Sequence, residues 1–263
     1  MIRTAVTLTL SIFCGASALH CPANAGLYTA GHGDIRAYYE GDQLKLRYEL
    51  DSGAIVNGQV VNSGGVDPVS FSLSNLLVTL PDFPVASPDN RFDFTGAAIG
   101  ENLWLIPEGQ PEAEATGSPW LGFSTEELAF DDSWSGNQLQ VNLIAAIGPG
   151  HVSMFFSPED ELAAPQVHFA TLDGIDGSDA YKQYGSADLG LSVSTHSHVN
   201  WAFTQPGFYD VSLKFSGEHA TDGYKEAFGT MRFAVAIPEP TSLACATILG
   251  VCLLCVSRGF LKS

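Results

Sequence analysis

From Gln43 to Leu50 the side chains alternate: Leu44, Leu46, Tyr48 and Leu50 fall on one side, and Lys45, Arg47 and Glu49 on the other. A period of two is the mark of a β-strand with one buried face. Ile35–Glu40 precedes it, and Gly41-Asp42 between them is the composition of a tight hairpin turn. The same alternation returns near the far end. Behind the Gln205-Pro206-Gly207 turn, Tyr209, Val211, Leu213 and Phe215 face one way, and Asp210, Ser212 and Lys214 the other. Met231, Phe233 and Val235 repeat it.

Further strands are expected at Ser70–Thr79, Asn102–Ile106, Gln138–Ile147, Val152–Phe156, Val167–Thr171, Leu189–Ser194 and Val199–Phe203. One short helix is expected at Ser124–Leu128, where a hydroxyl is followed by two acids. Residues 81–119, rich in Pro, Gly and Ala, read as long loops around one short strand. Many short strands between turns predict a mainly β fold: an antiparallel β-sandwich with an immunoglobulin-like ending.

The ends have a different character. Arg3, the apolar Ala5–Ala18 and the small-residue site Ala23-Asn24-Ala25 form an export signal over residues 1–25. At the other end Ile237-Pro238-Glu239-Pro240-Thr241-Ser242 leads into Leu243–Val256, apolar apart from Thr247, followed by Ser257, Arg258 and Lys262. The run is somewhat shorter than the roughly 20 residues of a comfortable span, so a thin transmembrane helix is expected. This tail resembles the PEP-CTERM sorting signal, although a single Arg258 stands where that family more often has several basic residues. The resemblance implies an exosortase-type sorting enzyme acting after signal peptidase. It also implies inner-membrane anchoring before processing, then a cell-surface or extracellular-matrix destination. An ordinary C-terminal anchor is the alternative. The surface domain is then residues 26–236, and the tail 237–263.

All five cysteines (14, 21, 245, 252 and 255) lie outside residues 26–236. The domain therefore has no disulfide, thiol nucleophile or cysteine metal site, and burial and hydrogen bonding must hold it together. It carries 28 acidic and 8 basic residues. Such a surface repels nucleic acid and attracts cations. No Gly-x-Ser-x-Gly, His-Glu-x-x-His or phosphate-binding glycine loop is present, which argues against an enzyme. Paired acids such as Glu126-Glu127 and Asp131-Asp132 read as solvation rather than glycosidase carboxyls. Trp120 and Trp134 are the better candidates to face an envelope polysaccharide, with core or lid packing the leading reading for both, and Trp201 falls in a core strand.

His196 and His198 would share one face of a strand, as would His32 and Asp34 in Gly31-His32-Gly33-Asp34. Imidazoles and a carboxylate suit a divalent cation such as zinc or manganese, provided that distant segments converge. Asn200 is a candidate to orient an imidazole from behind. His151 and His168 are further candidates, and His219 reads as exposed. The Asp173–Asp179 stretch reads as an Asx-rich turn rather than a calcium loop.

Taken together, Gly31-His32-x-Asp34, Gly148-Pro149-Gly150, His196-x-His198-x-Asn200-Trp201-Ala202-Phe203 and Pro206-Gly207-x-Tyr209 resemble the choice-of-anchor M, or actinobacterial surface-anchored, domain family. The resemblance spans about residues 27–236. It implies a surface domain encoded beside metal-uptake transporters, with motif residues His32, Asp34, His196 and His198, and it carries no enzymatic activity over. The expectation is a non-enzymatic exported protein that captures a divalent metal or small ligand. The alternatives are a purely structural matrix component and a polysaccharide-acting enzyme.

Overall fold

The computed structural model describes residues 25–62, 68–158, 163–172 and 188–237. The expected sorting residues Pro238, Glu239, Pro240 and Arg258, the apolar tail, residues 1–24 and the Asp173–Asp179 turn lie outside the described residues. Among the described residues no helix is long and apolar enough to cross a membrane.

The first strands are β1 (Gly26–Glu40), β2 (Gln43–Leu50), β3 (Ile55–Val56), β4 (Gln59–Val60), β5 (Val69–Phe71) and β6 (Leu76–Leu80). Then come β7 (Val85–Ala86), β8 (Asn102–Ile106), the helix α1 (Gln110–Thr116), β9 (Pro119–Ser124), β10 (Gln138–Ile147) and β11 (Val152–Phe156). The chain continues through β12 (Gln166–Ala170), β13 (Asp188–Ser192), β14 (His196–His198), β15 (Asn200–Phe203), β16 (Gly207–His219) and β17 (Gly223–Val235). Among the described residues, three short 3-10 turns complete the helical content.

The hairpin closes where the alternation puts it. Glu40 pairs with Gln43, and Gly41 and Asp42 both adopt positive φ (58° and 60°), as a type I′ turn requires. Leu44, Tyr48 and Leu50 are buried. The final hairpin is longer than expected: β16 and β17 pair along their whole length, from Gly207↔Val235 to His219↔Gly223.

One sheet follows the order β13-β10-β16-β17-β6-β1-β2-β5, with β9 and β14 branching from the middle of β1; the other is β12-β11-β15-β8-β7. Most pairings are antiparallel as expected, but β1–β6, β1–β9 and β6–β17 are parallel. The larger sheet is therefore mixed, and the smaller one is purely antiparallel. One large apolar core joins them, and a second, smaller cluster gathers Phe94, Phe155, Ala170 and Ala202. Trp201 and Phe203 from the smaller sheet meet Phe233 of the larger at ring separations of 5.6 and 5.1 Å, and Trp201 is fully buried.

The helix is not at Ser124–Leu128. Ser124 is the last residue of β9, paired with His196, and the Thr125 amide and hydroxyl both bond to Thr195 O. Those contacts keep Ser124 and Thr125 with the neighbouring segment, and Thr125–Leu128 closes as a single turn, the Leu128 amide donating to Thr125 O at 2.8 Å. The α-helix forms instead at Gln110–Thr116, in the stretch read as loop. Gly109 is its N-cap residue, Pro111 sits in the first turn, and Gly117 closes it in the left-handed conformation. The Ser70–Thr79 run is likewise broken by a 3-10 turn at Leu73–Asn75 into β5 and β6.

Candidate metal centre

Three adjacent strands align their residues into cross-strand rows. Asp34 on β1 lies beside Gly122 on β9, and Gly122 beside His198 on β14. His32 pairs with Trp120 and Ser124 with His196, so neighbouring rows hold the rest of the site. On β1, Ile35 and Ala37 turn into the core, and His32, Asp34 and Arg36 project from the opposite face. The middle residue of the Asp34–Gly122–His198 row has no side chain. A Cβ on Gly122 would stand 2.7 Å from Asp34 Oδ1 and 2.9 Å from both His198 Nδ1 and Cε1. The glycine leaves the space in which the carboxylate and the imidazole approach each other.

His32 Nε2 lies 3.1 Å from His198 Nε2 and 3.5 Å from Asp34 Oδ2, and His198 Nε2 lies 3.9 Å from Asp34 Oδ1. The donor atoms of His32, Asp34 and His198 all fall within 4.8 Å of one another. Donors held about 2.0–2.2 Å from a tetrahedral zinc ion stand about 3.3 Å apart, so little movement is needed to receive one. Asp34 and His198 are buried and His32 half-buried.

The ring orientations are set from behind. His32 Nδ1 donates to Asp51 Oδ2 at 2.5 Å. Because an ionised carboxylate only accepts, this places the proton on Nδ1 and turns the Nε2 lone pair of the neutral ring toward His198 and Asp34. Trp120 lies over His198 with ring centroids 3.8 Å apart and an interplanar angle of 12°. The Trp120 indole is itself anchored by donating to Glu108 O at 2.8 Å. Two buried polar atoms, Asp34 Oδ1 and His198 Nδ1, have no hydrogen-bond partner among the described protein atoms. Such atoms are costly unless something satisfies them.

Burial raises the Asp34 carboxyl to about 6, against the lowering pull of His32, His196 and Arg36. Burial, with the neighbouring His32 and His196, depresses the His198 imidazole to about 3. At neutral pH His198 is therefore uncharged and Asp34 largely ionised, the states in which each can coordinate a cation. A lattice of ion pairs continues the same face. Arg36 Nε forms an ion pair with Glu49 Oε2 at 2.5 Å and Arg36 Nη2 bonds Glu126 Oε2 at 2.8 Å, while Arg47 bonds both Glu49 and Glu127. Counting Asp34 and Asp51, five carboxylates face two guanidinium groups, which leaves a field that draws cations.

Of the residues the sequence singled out, His32, Asp34 and His198 come together. His196 stands on the same face just outside the group, its Nδ1 3.1 Å from Glu126 Oε1. Asn200 does not orient an imidazole. The chain crosses to the smaller sheet after His198, and the Asn200 amide donates to Glu108 Oε2, Ser157 Oγ and Phe155 O, while its Oδ1 accepts from the Glu108 amide. His151 sits against Thr171 and Gly96, and His168 packs edge-on against Phe156. His219 stacks on Tyr39 and contacts Asp222. Trp134 is buried rather than carbohydrate-facing.

Asp51, Trp120, Gly122 and Glu126 were missed as site residues. Asp51 was within reach of simple arithmetic: in a hairpin turning at 41–42, paired positions sum to 83, so residue 51 lies opposite residue 32. The other three depend on β9, whose parallel docking onto β1 leaves no local pattern.

The chain matches no protein-family model, no curated protein and no solved structure.

Proposed function

We propose that this is a non-enzymatic, exported cell-surface or matrix protein whose β-sandwich domain captures a divalent cation, zinc or manganese, on His32, Asp34 and His198. The observation that carries this reading is the convergence of two imidazole nitrogens and a carboxylate from strands 166 residues apart in sequence. Its donor set suits either ion. The three donors hold the cation, and Asp51 and Trp120 orient the two rings. A sandwich with an immunoglobulin-like ending accords with the shared core of the two sheets. The Tyr209 hydroxyl donating to Gln205 O at 2.7 Å also has the form of a tyrosine corner.

Export, anchoring by the C-terminal segment, processing by signal peptidase and an exosortase-type enzyme, and kinship with the choice-of-anchor M domains form part of the same proposal. They rest on the sequence motifs alone. Calorimetric titration with Zn²⁺ and with Mn²⁺ tests the metal claim, comparing the protein with its His32→Ala/His198→Ala form. Saturable heat in the first and none in the second is expected, and equal behaviour would end the claim.

The second reading, a purely structural matrix component, draws on one observation. The Trp120 stack and the Asp51 bond hold both rings with protein contacts alone. In that case the double variant loses melting temperature, and added cation changes neither protein.

A further inference from the structure

His196 stands outside the three-donor group, yet its setting is that of a ligand. Its Nδ1 is 3.1 Å from Glu126 Oε1, the same arrangement by which Asp51 holds His32. A carboxylate behind Nδ1 accepts its N–H and leaves the Nε2 lone pair as the coordinating one. Glu126 is not free to wander: its Oε2 accepts from Arg36 Nη2 at 2.8 Å and from Ser124 Oγ at 3.2 Å. The imidazole is thus presented by a braced carboxylate, at the edge of the site where the ring is open to solvent.

The ring positions make the same point in numbers. Imidazoles bound through nitrogen at about 2.0–2.1 Å on a tetrahedral ion carry their centroids about 5.2 Å apart. His32 and His198 stand at 5.0 Å. His196 stands 6.1 Å from His32 and 5.7 Å from His198. Its centroid is within about 1 Å of a three-imidazole set, but its nitrogens lie outside the group of donors found within 4.8 Å of one another, so the ring must turn as well as shift to coordinate. The other sides of the site are taken: Trp120 covers His198 and flanks His32 at 4.7 Å, and Gly122 forms the floor.

We infer that His196, positioned by Glu126, moves in through Nε2 as a fourth ligand and closes the site as His32, Asp34, His196 and His198 around one tetrahedral ion. This rests on the three-donor reading above and adds a prediction of coordination number. A closed four-donor shell favours zinc, which accepts tetrahedral geometry without penalty, over manganese, which favours six oxygen-rich ligands. The site would then retain its ion rather than hold an open position for chemistry.

Co²⁺ is the probe, because its visible absorption is intense when tetrahedral and weak at higher coordination. The protein, His196→Ala, Glu126→Gln and the double variant are titrated with Co²⁺ and then competed with Zn²⁺. The expected result is an intense tetrahedral spectrum for the protein and a shifted one for H196A, in which water takes the fourth position. Affinity should fall about 10- to 100-fold in E126Q, at least as far in H196A, and no further in the double variant than in H196A. Melting temperatures without metal should stay close together, because both side chains are nearly half exposed. If H196A keeps the spectrum and affinity of the parent, His196 is not a ligand and the three-donor reading survives. If the parent protein takes up neither Co²⁺ nor Zn²⁺, both readings fall.

Discussion

The His198 imidazole rests over the backbone of Gly122, so close that a methyl group there would lie 2.9 Å from its Nδ1. The same methyl would lie 2.7 Å from Asp34 Oδ1. Both donors owe their approach to one missing side chain. Gly122→Ala should therefore abolish cation binding while leaving a folded protein, at a cost of about 1–3 kcal/mol from overpacking. Calorimetry with Zn²⁺ alongside a denaturant melt checks this. Undiminished affinity in the variant would show that the row is looser than the distances indicate.

Asp51 acts on the metal only through His32. Replacing it by Asn removes the charge and leaves an acceptor for Nδ1, so Zn²⁺ affinity should drop about 10- to 100-fold. Stability should change by less than about 1 kcal/mol, because Asp51 is exposed. An affinity equal to that of the parent would remove Asp51 from the site.

The site also leaves a signature in stability against pH without metal. Asp34 is raised from 3.8 to about 6, so between those values the folded chain holds a proton that the unfolded chain has released. That contribution is complete below 3.8 and lost as pH rises through 6. His198 works in the opposite sense: lowered from 6.5 to about 3, its contribution is present above 6.5 and lost as pH falls toward 3. Asp34→Asn copies the protonated carboxyl at every pH. The melting temperature of D34N relative to the parent should rise from about pH 4 to about pH 7 in the presence of a chelator. A flat or falling difference would contradict the raised carboxyl.

Arg36 is the keystone of the ion-pair lattice, joining buried Glu49 to Glu126. Arg36→Ala should cost about 1–3 kcal/mol, because buried Glu49 loses this partner and keeps only Arg47. Arg36→Ala/Glu49→Leu should recover part of that loss, since an apolar residue asks for no counter-charge. Urea melts of the two variants decide it, and equal stabilities would locate the cost elsewhere.

Much of the chain was legible because its signals are local. The alternation at Gln43–Leu50 and at Phe208–Phe215 reports which face is buried, and Gly41-Asp42 sets the register of the first hairpin. The strands at Asn102–Ile106, Gln138–Ile147 and Val152–Phe156 fall where their composition puts them. The short α-helix was misplaced because Ser124-Thr125-Glu126-Glu127 has the composition of a helix start. Its polar groups are committed instead to β14 and the turn before it.

The sequence by itself determined that the domain would be cysteine-free, acidic and mainly β, and that His32 with Asp34, and His196 with His198, would each project from one face of a strand. Only the tertiary structure decided that these pairs would meet. The parallel docking of β9 onto β1, and the antiparallel docking of β14 onto β9, places Gly122 between them. Side-chain period is a property of neighbouring residues along the chain, whereas strand order across a sheet is settled by which faces bury best together. No local spacing records that competition.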